Sequence, residues 1–176
     1  FRAGDFFQNN PSILPELVNY VIKQSQPQKT SFLIDAYCGI GLFGISASPH
    51  FDKVIGIEIS REGFHGAQAN AKLNRIVNAE FILGDAFSIF DAIDSTFRPC
   101  TLLVDPPRRG CDQNFLSQAL SFSPEFIVYI SCDPTTQARD AKILVEGGYS
   151  VLEIQPFDLF PQTRHVESVM TLEKVP

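Results

Sequence analysis

The sequence predicts an α/β fold: a doubly wound, mostly parallel seven-stranded sheet with a closing antiparallel strand. Three observations carry that expectation. Five short apolar runs have the character of strands buried on both faces. Amphipathic stretches of helical length separate several of them, as right-handed crossovers require. The last two apolar runs flank a loop with no room for a crossover helix, so they pair antiparallel.

An amphipathic helix opens the chain. Asn10 is placed as its cap and Pro11 at its first position, and Leu14, Leu17, Val18, Val21 and Ile22 fall on one face. Gln26-Pro27-Gln28-Lys29-Thr30 stops it. Parallel strands follow at 32–34, 54–57, 81–83, 102–104 and 126–130, with helices at 42–47, 61–74, 114–122 and 136–146. The closing pair is read at 151–155 and 169–172.

With 176 residues, 44% hydrophobic and 19% charged, the chain is long enough to bury one full core and too apolar for disorder. No apolar run approaches the roughly 18 residues of a membrane span, and the opening Phe1-Arg2-Ala3-Gly4-Asp5 is no signal peptide. The sequence has no initiator Met, its single Met being Met170, and reads as one domain, 1–176, of a longer protein. Four cysteines, Cys38, Cys100, Cys111 and Cys132, are scattered without a C-x-x-C pair. That argues against zinc or a disulfide framework and for reduced thiols inside a cell. Twenty acidic against fourteen basic residues give a net charge of −6 and a pI near 5.0. Indiscriminate binding to nucleic acid or anionic lipid is disfavoured; a small local basic site is not.

The residues that end the five parallel strands share a character: Asp35, Glu58, Asp85, Asp105 and Cys132. Ligands of open parallel sheets sit at this carboxyl edge. A single Asp there caps the next helix as readily as it meets a ligand. Five polar or reactive groups in series point to a ligand.

Gly39, Gly41 and Gly44 match G-x-G-x-x-G between a strand and a helix, and Glu58 lies 19 residues after Gly39. This is a dinucleotide pattern with its ribose-binding acid, yet the same geometry serves any adenosine cofactor. Two features favour S-adenosylmethionine. Asp35 would repel a pyrophosphate but tolerates a cationic methionine end, or simply holds the turn. Asp85 can accept from an adenine amine. A tight turn with no ligand and an NAD-dependent oxidoreductase are the competing readings.

Asp105-Pro106-Pro107-Arg108-Arg109-Gly110 closes the fourth strand with a rigid loop. Methyltransferases acting on exocyclic amines resemble this with an aromatic after Pro-Pro. Arg108 stands there instead, which suits a phosphate or a carbonyl oxygen. Ser131-Cys132-Asp133-Pro134 closes the fifth strand. Cys38, Cys100 and Cys111 read as inert core. Cys132 lies on the ligand edge, where a helix N-terminus beyond Thr135 is expected to lower its pKa from about 8.5. Between the closing strands, Phe157, Phe160, His165 and Glu167 occupy one loop, either solvated with a surface ion pair or folded toward Cys132.

Together these residues resemble the RNA (uracil-5-)-methyltransferase family, which makes 5-methyluridine in tRNA and rRNA. The resemblance runs from Phe6 to about Leu172. Phe6-x-Gln8-x-Asn10 is similar to the family's entry motif, and Asp35-x-Tyr37-Cys38-Gly39-x-Gly41-x-Phe43 to its cofactor loop. Asp105-Pro106-Pro107-Arg108 is similar to its fourth-strand motif, Ser131-Cys132-x-Pro134 to its nucleophile, and Phe160-Pro161-x-Thr163-x-His165-x-Glu167 to its base segment.

The resemblance implies a Rossmann-like class I methyltransferase using S-adenosylmethionine, with Gln8, Tyr37, Gly39, Glu58, Asp85 and Asp105 as cofactor-binding residues. It implies Cys132 as nucleophile on uracil C6 and Glu167 as the base that removes the C5 proton. The target base must leave its stack, so Phe157 or Phe160 is expected to line its pocket, with Arg108 and His165 as further substrate contacts. Many members carry Asn where this chain has Asp133, and the extra carboxylate is expected to raise the thiol's pKa. The implied partners are RNA, tRNA first and rRNA second, and an N-terminal RNA-binding domain of the same full-length protein, with no membrane. The implied location is intracellular: the cytoplasm, with nucleus or mitochondrion open. Arg108, Arg109 and Arg164 form only a small positive mouth, so most RNA affinity is expected outside this sequence. Two other readings compete: the NAD-dependent oxidoreductase, and a catalytically inactive RNA-binding module of the same fold. The joint presence of Cys132, Glu167 and Asp105 speaks against the inactive module.

Overall fold

Strict alternation along the apolar runs decides which side of the sheet each residue meets. Ile34, Leu102, Ile127 and Tyr129 point to one side, where they pack with Phe115, Leu116, Ala141 and Leu144. Leu33, Leu103, Val128 and Ile130 point to the other and pack with Leu17, Val21, Phe43 and Ala47. The central strands are therefore apolar on both faces, as a sheet covered by helices on both sides demands.

A computed structural model describes residues 10, 12–84, 90, 93, 96–163 and 165–176. In chain order the elements are α1 (Leu14–Gln24), β1 (Phe32–Asp35), α2 (Leu42–Ala47), β2 (Lys53–Glu58), α3 (Arg61–Leu73) and β3 (Ala79–Leu83). Then come β4 (Cys100–Val104), α4 (Gln113–Phe122), β5 (Phe126–Ser131), α5 (Pro134–Glu146), β6 (Tyr149–Phe157) and β7 (Glu167–Lys174). The strands form one sheet in the order β3-β2-β1-β4-β5-β7-β6. β1 to β5 run parallel, and β7 lies antiparallel between β5 and β6. The expected architecture is the observed one.

Strand order has a functional consequence. The chain leaves β1 toward β2 and β3 on one side, then returns to β4 on the other, so the direction of winding reverses beside β1. Crevices open at such switch points, outside the carboxyl ends of the strands. Asp35, Glu58 and Asp105 all lie there. Asp85 and Gln8 lie outside the described residues, as do Pro11 and Arg164.

One boundary differs from expectation. The first helix begins at Leu14 rather than beside Asn10, with Ile13 at its cap position and Pro15 in its first turn. Asn10 builds a preceding turn instead: its Oδ1 accepts from the Ser12 amide at 3.2 Å and its carbonyl from Leu14 at 3.3 Å. A short polar side chain serves either a turn or a helix end, and the local sequence does not separate the two. The apolar face is as expected, with Leu17 and Val21 buried. Gln24 then fastens the helix to the closing strands, accepting from Thr171 Oγ1 at 2.9 Å and donating to Glu153 at 2.8 Å. Among the described residues no helix is long and apolar enough to cross a membrane.

Candidate active site

Two lobes meet at the carboxyl edge. The first is built on the turn after β1. Its backbone is tied to both neighbouring strands, Ala36 N–H to the Leu103 carbonyl and Cys38 N–H to that of Ile57, each at 2.9 Å. Gly39 and Gly41 take left-handed conformations, φ 52° and 84°, which side-chain-bearing residues adopt at a cost. The turn can therefore pass close to a ligand at the sheet edge.

Glu58 ends β2 and closes this lobe. Its carboxylate accepts from Gly39 N–H at 2.8 Å and from Ser60 N–H at 2.7 Å. The acid 19 residues after Gly39 is thus bonded to Gly39 itself, and each oxygen retains a lone pair for a ribose hydroxyl. Gly63, in the first turn of α3, makes room: a Cβ there would sit 2.9 Å from Glu58 Cγ. An open cavity begins here, lined among others by Tyr37, Glu58, Ile59, Pro107, Arg109 and Phe115. Tyr37 meets Phe115 edge-on at 5.5 Å. Ile59 and Phe115 escape sequence reasoning. An apolar residue directly after the strand-end acid, here 67% exposed, is a signal for the former; Phe115 reads as ordinary helix core.

Asp35 does two things. Its Oδ2 accepts from Gly44 N–H at 3.0 Å, the capping role that any strand-end Asp can play. Its Oδ1 is buried without a hydrogen-bond partner. Burial, with Glu58 nearby, pushes the carboxyl up to about 7. Asp105 is raised well above the carboxylate range by desolvation, then by the charges of Glu167 and Asp35. This edge holds several acids within reach of one another, a field that attracts a cationic ligand.

The second lobe carries the thiol. Ser131 and Ser168 are register partners in the antiparallel β5–β7 pair, and one step outward along each strand stand Cys132 and Glu167. Glu167 is 4% exposed, and burial pushes it up to about 7. Cys132 is half-buried, with the Arg108 guanidinium in hydrogen-bond reach. Expectation and structure part here. The Cys132 thiol is raised, first by burial and then by Glu167, against the opposing pull of Arg108. The helix N-terminus does not lower it, because Asp133 is the N-cap of α5. Its carboxylate accepts the free N–H groups of Thr135 at 2.9 Å and Thr136 at 3.4 Å. The Asp133 carboxyl is itself held below the usual range by those bonds. The negative charges that raise the thiol are therefore those of Glu167 and Asp105.

Of the loop aromatics, Phe157 is core: it is buried in β6 and packs edge-on against Tyr20 at 5.3 Å. It cannot line a substrate pocket. Phe160 is half-buried and stands edge-on to His165 at 6.1 Å, one turn before Glu167. Cys38, Cys100 and Cys111 are buried, as expected of core thiols.

A family model described as tRNA (Uracil-5-)-methyltransferase matches residues 1–175. The chain belongs to that family. Two fungal relatives, each called tRNA (uracil(54)-C(5))-methyltransferase, align over 99% of the chain: one from Schizosaccharomyces pombe at 48% identity, one from Saccharomyces cerevisiae at 44%. The chain covers 35% and 29% of their lengths, about a third of each. A Pyrococcus abyssi tRNA (uracil-54, C5)-methyltransferase, solved in complex with S-adenosyl-L-homocysteine, superposes with a TM-score of 0.83 at 32% identity over 96% of this chain and 40% of that one.

Proposed function

We propose that this chain is the catalytic part of an enzyme that transfers a methyl group from S-adenosylmethionine to C5 of a uridine in tRNA, uridine 54 by its similarity to the two fungal relatives. The observation that carries the proposal is the pairing of Cys132 with Glu167 at the corner beyond Ser131 and Ser168. A thiol and a desolvated carboxyl on one edge are what substitution at an unactivated pyrimidine carbon needs.

The residues fit the cofactor. S-adenosylmethionine, when bound, supplies an electrophilic methyl group on a cationic sulfur. Glu58, tied to Gly39, is assigned to the ribose hydroxyls, with Tyr37 and Ile59 as apolar walls. Asp35, with its unpartnered Oδ1, and Asp105 are assigned to the cationic methionine end. Gln8 and Asp85 complete the proposed set. A dinucleotide fits less well, since its pyrophosphate would meet these same carboxyls.

Cys132, having released its proton to solvent, adds to C6 of the uracil. The S–C6 bond forms as the C5–C6 π pair shifts toward C5 and O4, which makes C5 nucleophilic. After C5 has accepted its methyl group, Glu167 takes the C5 proton. The electron pair of that C–H bond re-forms C5=C6, and the S–C6 bond breaks to return the thiolate. Glu167, raised to about 7, holds that proton readily once it has it. Arg108 opposes the acids around the sulfur, and Phe160 and His165 are assigned to the flipped base. With a net charge of −6 and, among the described residues, Arg108 and Arg109 at the mouth, we assign most tRNA affinity to parts of the full-length protein beyond this chain.

The test is methyl transfer from labelled cofactor by the full-length protein to tRNA and rRNA transcripts, followed by nucleoside analysis. Label in 5-methyluridine from tRNA supports the proposal. Label in any other nucleoside, or in rRNA alone, contradicts it.

A further inference from the structure

One buried carboxylate has no part in the proposed reaction. Asp140 lies on α5 and is fully buried. Its Oδ2 accepts from the backbone N–H of Cys111 and from the Tyr129 hydroxyl, both at 2.7 Å. Its Oδ1 accepts from Arg139, Nε at 2.8 Å and Nη2 at 2.7 Å. The same guanidinium continues outward, Nη2 donating to the carbonyls of Arg109 at 2.9 Å and Cys111 at 3.3 Å. Thr136, one turn earlier, donates to the carbonyl of Arg108 at 3.1 Å.

Three side chains of α5 thus grip the backbone of residues 108, 109 and 111. Gly110 between them is in the left-handed region, φ 77°. A Cβ there would lie 2.6 Å from Asp140 Oδ2 and 2.7 Å from Arg139 Nη2. The fit tolerates no side chain at that position. This loop holds Arg108 against Cys132, and its Pro107, Arg109 and Gly110 line the cofactor cavity. The helix that grips it starts two residues after the nucleophile.

Stability alone is a weak reason for the arrangement, because a buried ion pair adds little over apolar side chains of the same volume. Asp140 also occupies a position on the buried stripe Gln137, Asp140, Ala141, Leu144, where an apolar residue would pack. We infer that Asp140 and Arg139 are positioning residues: they clamp the 106–111 loop onto α5 and so fix Arg108 against Cys132 and the loop backbone against the cofactor cavity. The catalytic consequence rests on the function proposed above; the clamp itself does not.

The test uses the full-length protein with Asp140→Asn and Arg139→Lys. Arg139 is more than half exposed. Arg139→Lys keeps the ion pair but loses the fork to the loop carbonyls, which makes it the milder change for folding, and each variant's melting temperature is taken beside the kinetics. Two quantities are read: kcat and cofactor KM for methyl transfer, and the pH profile of Cys132 alkylation by iodoacetamide, quantified on the Cys132 peptide. The groups facing that thiol are Glu167 from β7 and Arg108 and Asp105 from the β4 loop, the neighbouring Asp133 carboxylate being turned to the amides of α5. Releasing the loop removes Arg108 and leaves the carboxyls, so alkylation moves to higher pH.

We expect kcat to fall roughly 10- to 100-fold in Asp140→Asn, the scale of a small misplacement of a site group. Arg139→Lys shifts both readouts in the same direction by less. Folded variants with wild-type kinetics and profile overturn the clamp, as does lower kcat with an unmoved profile, which marks a purely structural role. If the wild-type protein methylates no uridine, the reaction assignment fails, and the alkylation arm still decides the clamp.

Discussion

Cys132 and Glu167 sit side by side because Ser131 and Ser168 are register partners: one step beyond that pair, the thiol follows the end of β5 and the carboxyl begins β7. An antiparallel strand inserted between β5 and β6 is what makes this possible. A parallel strand in its place would enter this edge by its carboxyl end and leave Glu167 at the far side of the sheet.

That adjacency sets the pH response. The proposed roles need both groups deprotonated, Glu167 is raised to about 7, and the Cys132 thiol is raised by burial and by Glu167. The rate at which free 5-methyluridine-containing tRNA forms in single-turnover assays, which needs both groups, should therefore climb with pH through neutrality rather than level off in the acid range. A rate that is flat or falling between about pH 6 and 8 contradicts the assigned roles.

Glu167→Gln separates the two halves of the reaction. Addition of Cys132 and methylation proceed, while removal of the C5 proton stalls. Product release should fall roughly 10²- to 10⁴-fold. Ordinary tRNA should then be retained covalently on denaturing gels, as it is not with the unmodified protein.

Gly63 tests the ribose acid without touching its charge. In Gly63→Ala the new methyl meets Glu58 Cγ at 2.9 Å and displaces the carboxylate from Gly39 N–H. Cofactor KM should rise about tenfold, the equivalent of roughly 1.4 kcal/mol, with a much smaller change in kcat. Alanine favours α-helix over glycine, so the melting temperature serves as the control for global damage.

The buried acids also predict how the unliganded protein responds to pH. Asp35 moves from an ordinary 3.8 to about 7 on folding, Glu167 from 4.5 to about 7, and Asp105 upward as well. Groups raised in this way favour the folded state fully below about pH 4, and that contribution is lost as pH rises through 7. For Asp35 alone the linkage is on the order of 4 kcal/mol. Thermal melts should accordingly be higher at mildly acid pH than at alkaline pH, and saturating cofactor, a cation, should narrow the gap. A gap that widens on cofactor addition contradicts the placement of Asp35 and Asp105 at the cationic end.

Much of this architecture was legible in the chain because its signals are local. Alternating apolar runs, the Gly39-Ile40-Gly41 turn and the acids Asp35, Glu58 and Asp105 at the ends of β1, β2 and β4 need only the pleat and the helix period to be placed. The parts that were not legible depend on competition between groups distant in space or equivalent in type. Asp133 could cap α5 or charge the thiol's surroundings, and only the geometry of the turn decides for the cap. Phe157 and Phe160 look alike in a loop, yet Phe157 faces Tyr20 in the core. Asp140 carries a local signal, a carboxylate on the apolar stripe of α5, but that signal does not name what the carboxylate binds. Its partners Cys111 and Tyr129 lie 29 and 11 residues away, beyond any local pattern.

The central claim is that Cys132 forms a covalent bond to the uracil it methylates. Incubating the full-length protein and S-adenosylmethionine with tRNA containing 5-fluorouridine tests it most directly, because fluorine at C5 cannot leave as a proton. The account predicts a denaturation-resistant protein–tRNA adduct, mapped by mass spectrometry to Cys132 and absent in Cys132→Ala. An adduct that persists in Cys132→Ala, or no adduct from a protein that methylates ordinary tRNA, contradicts it.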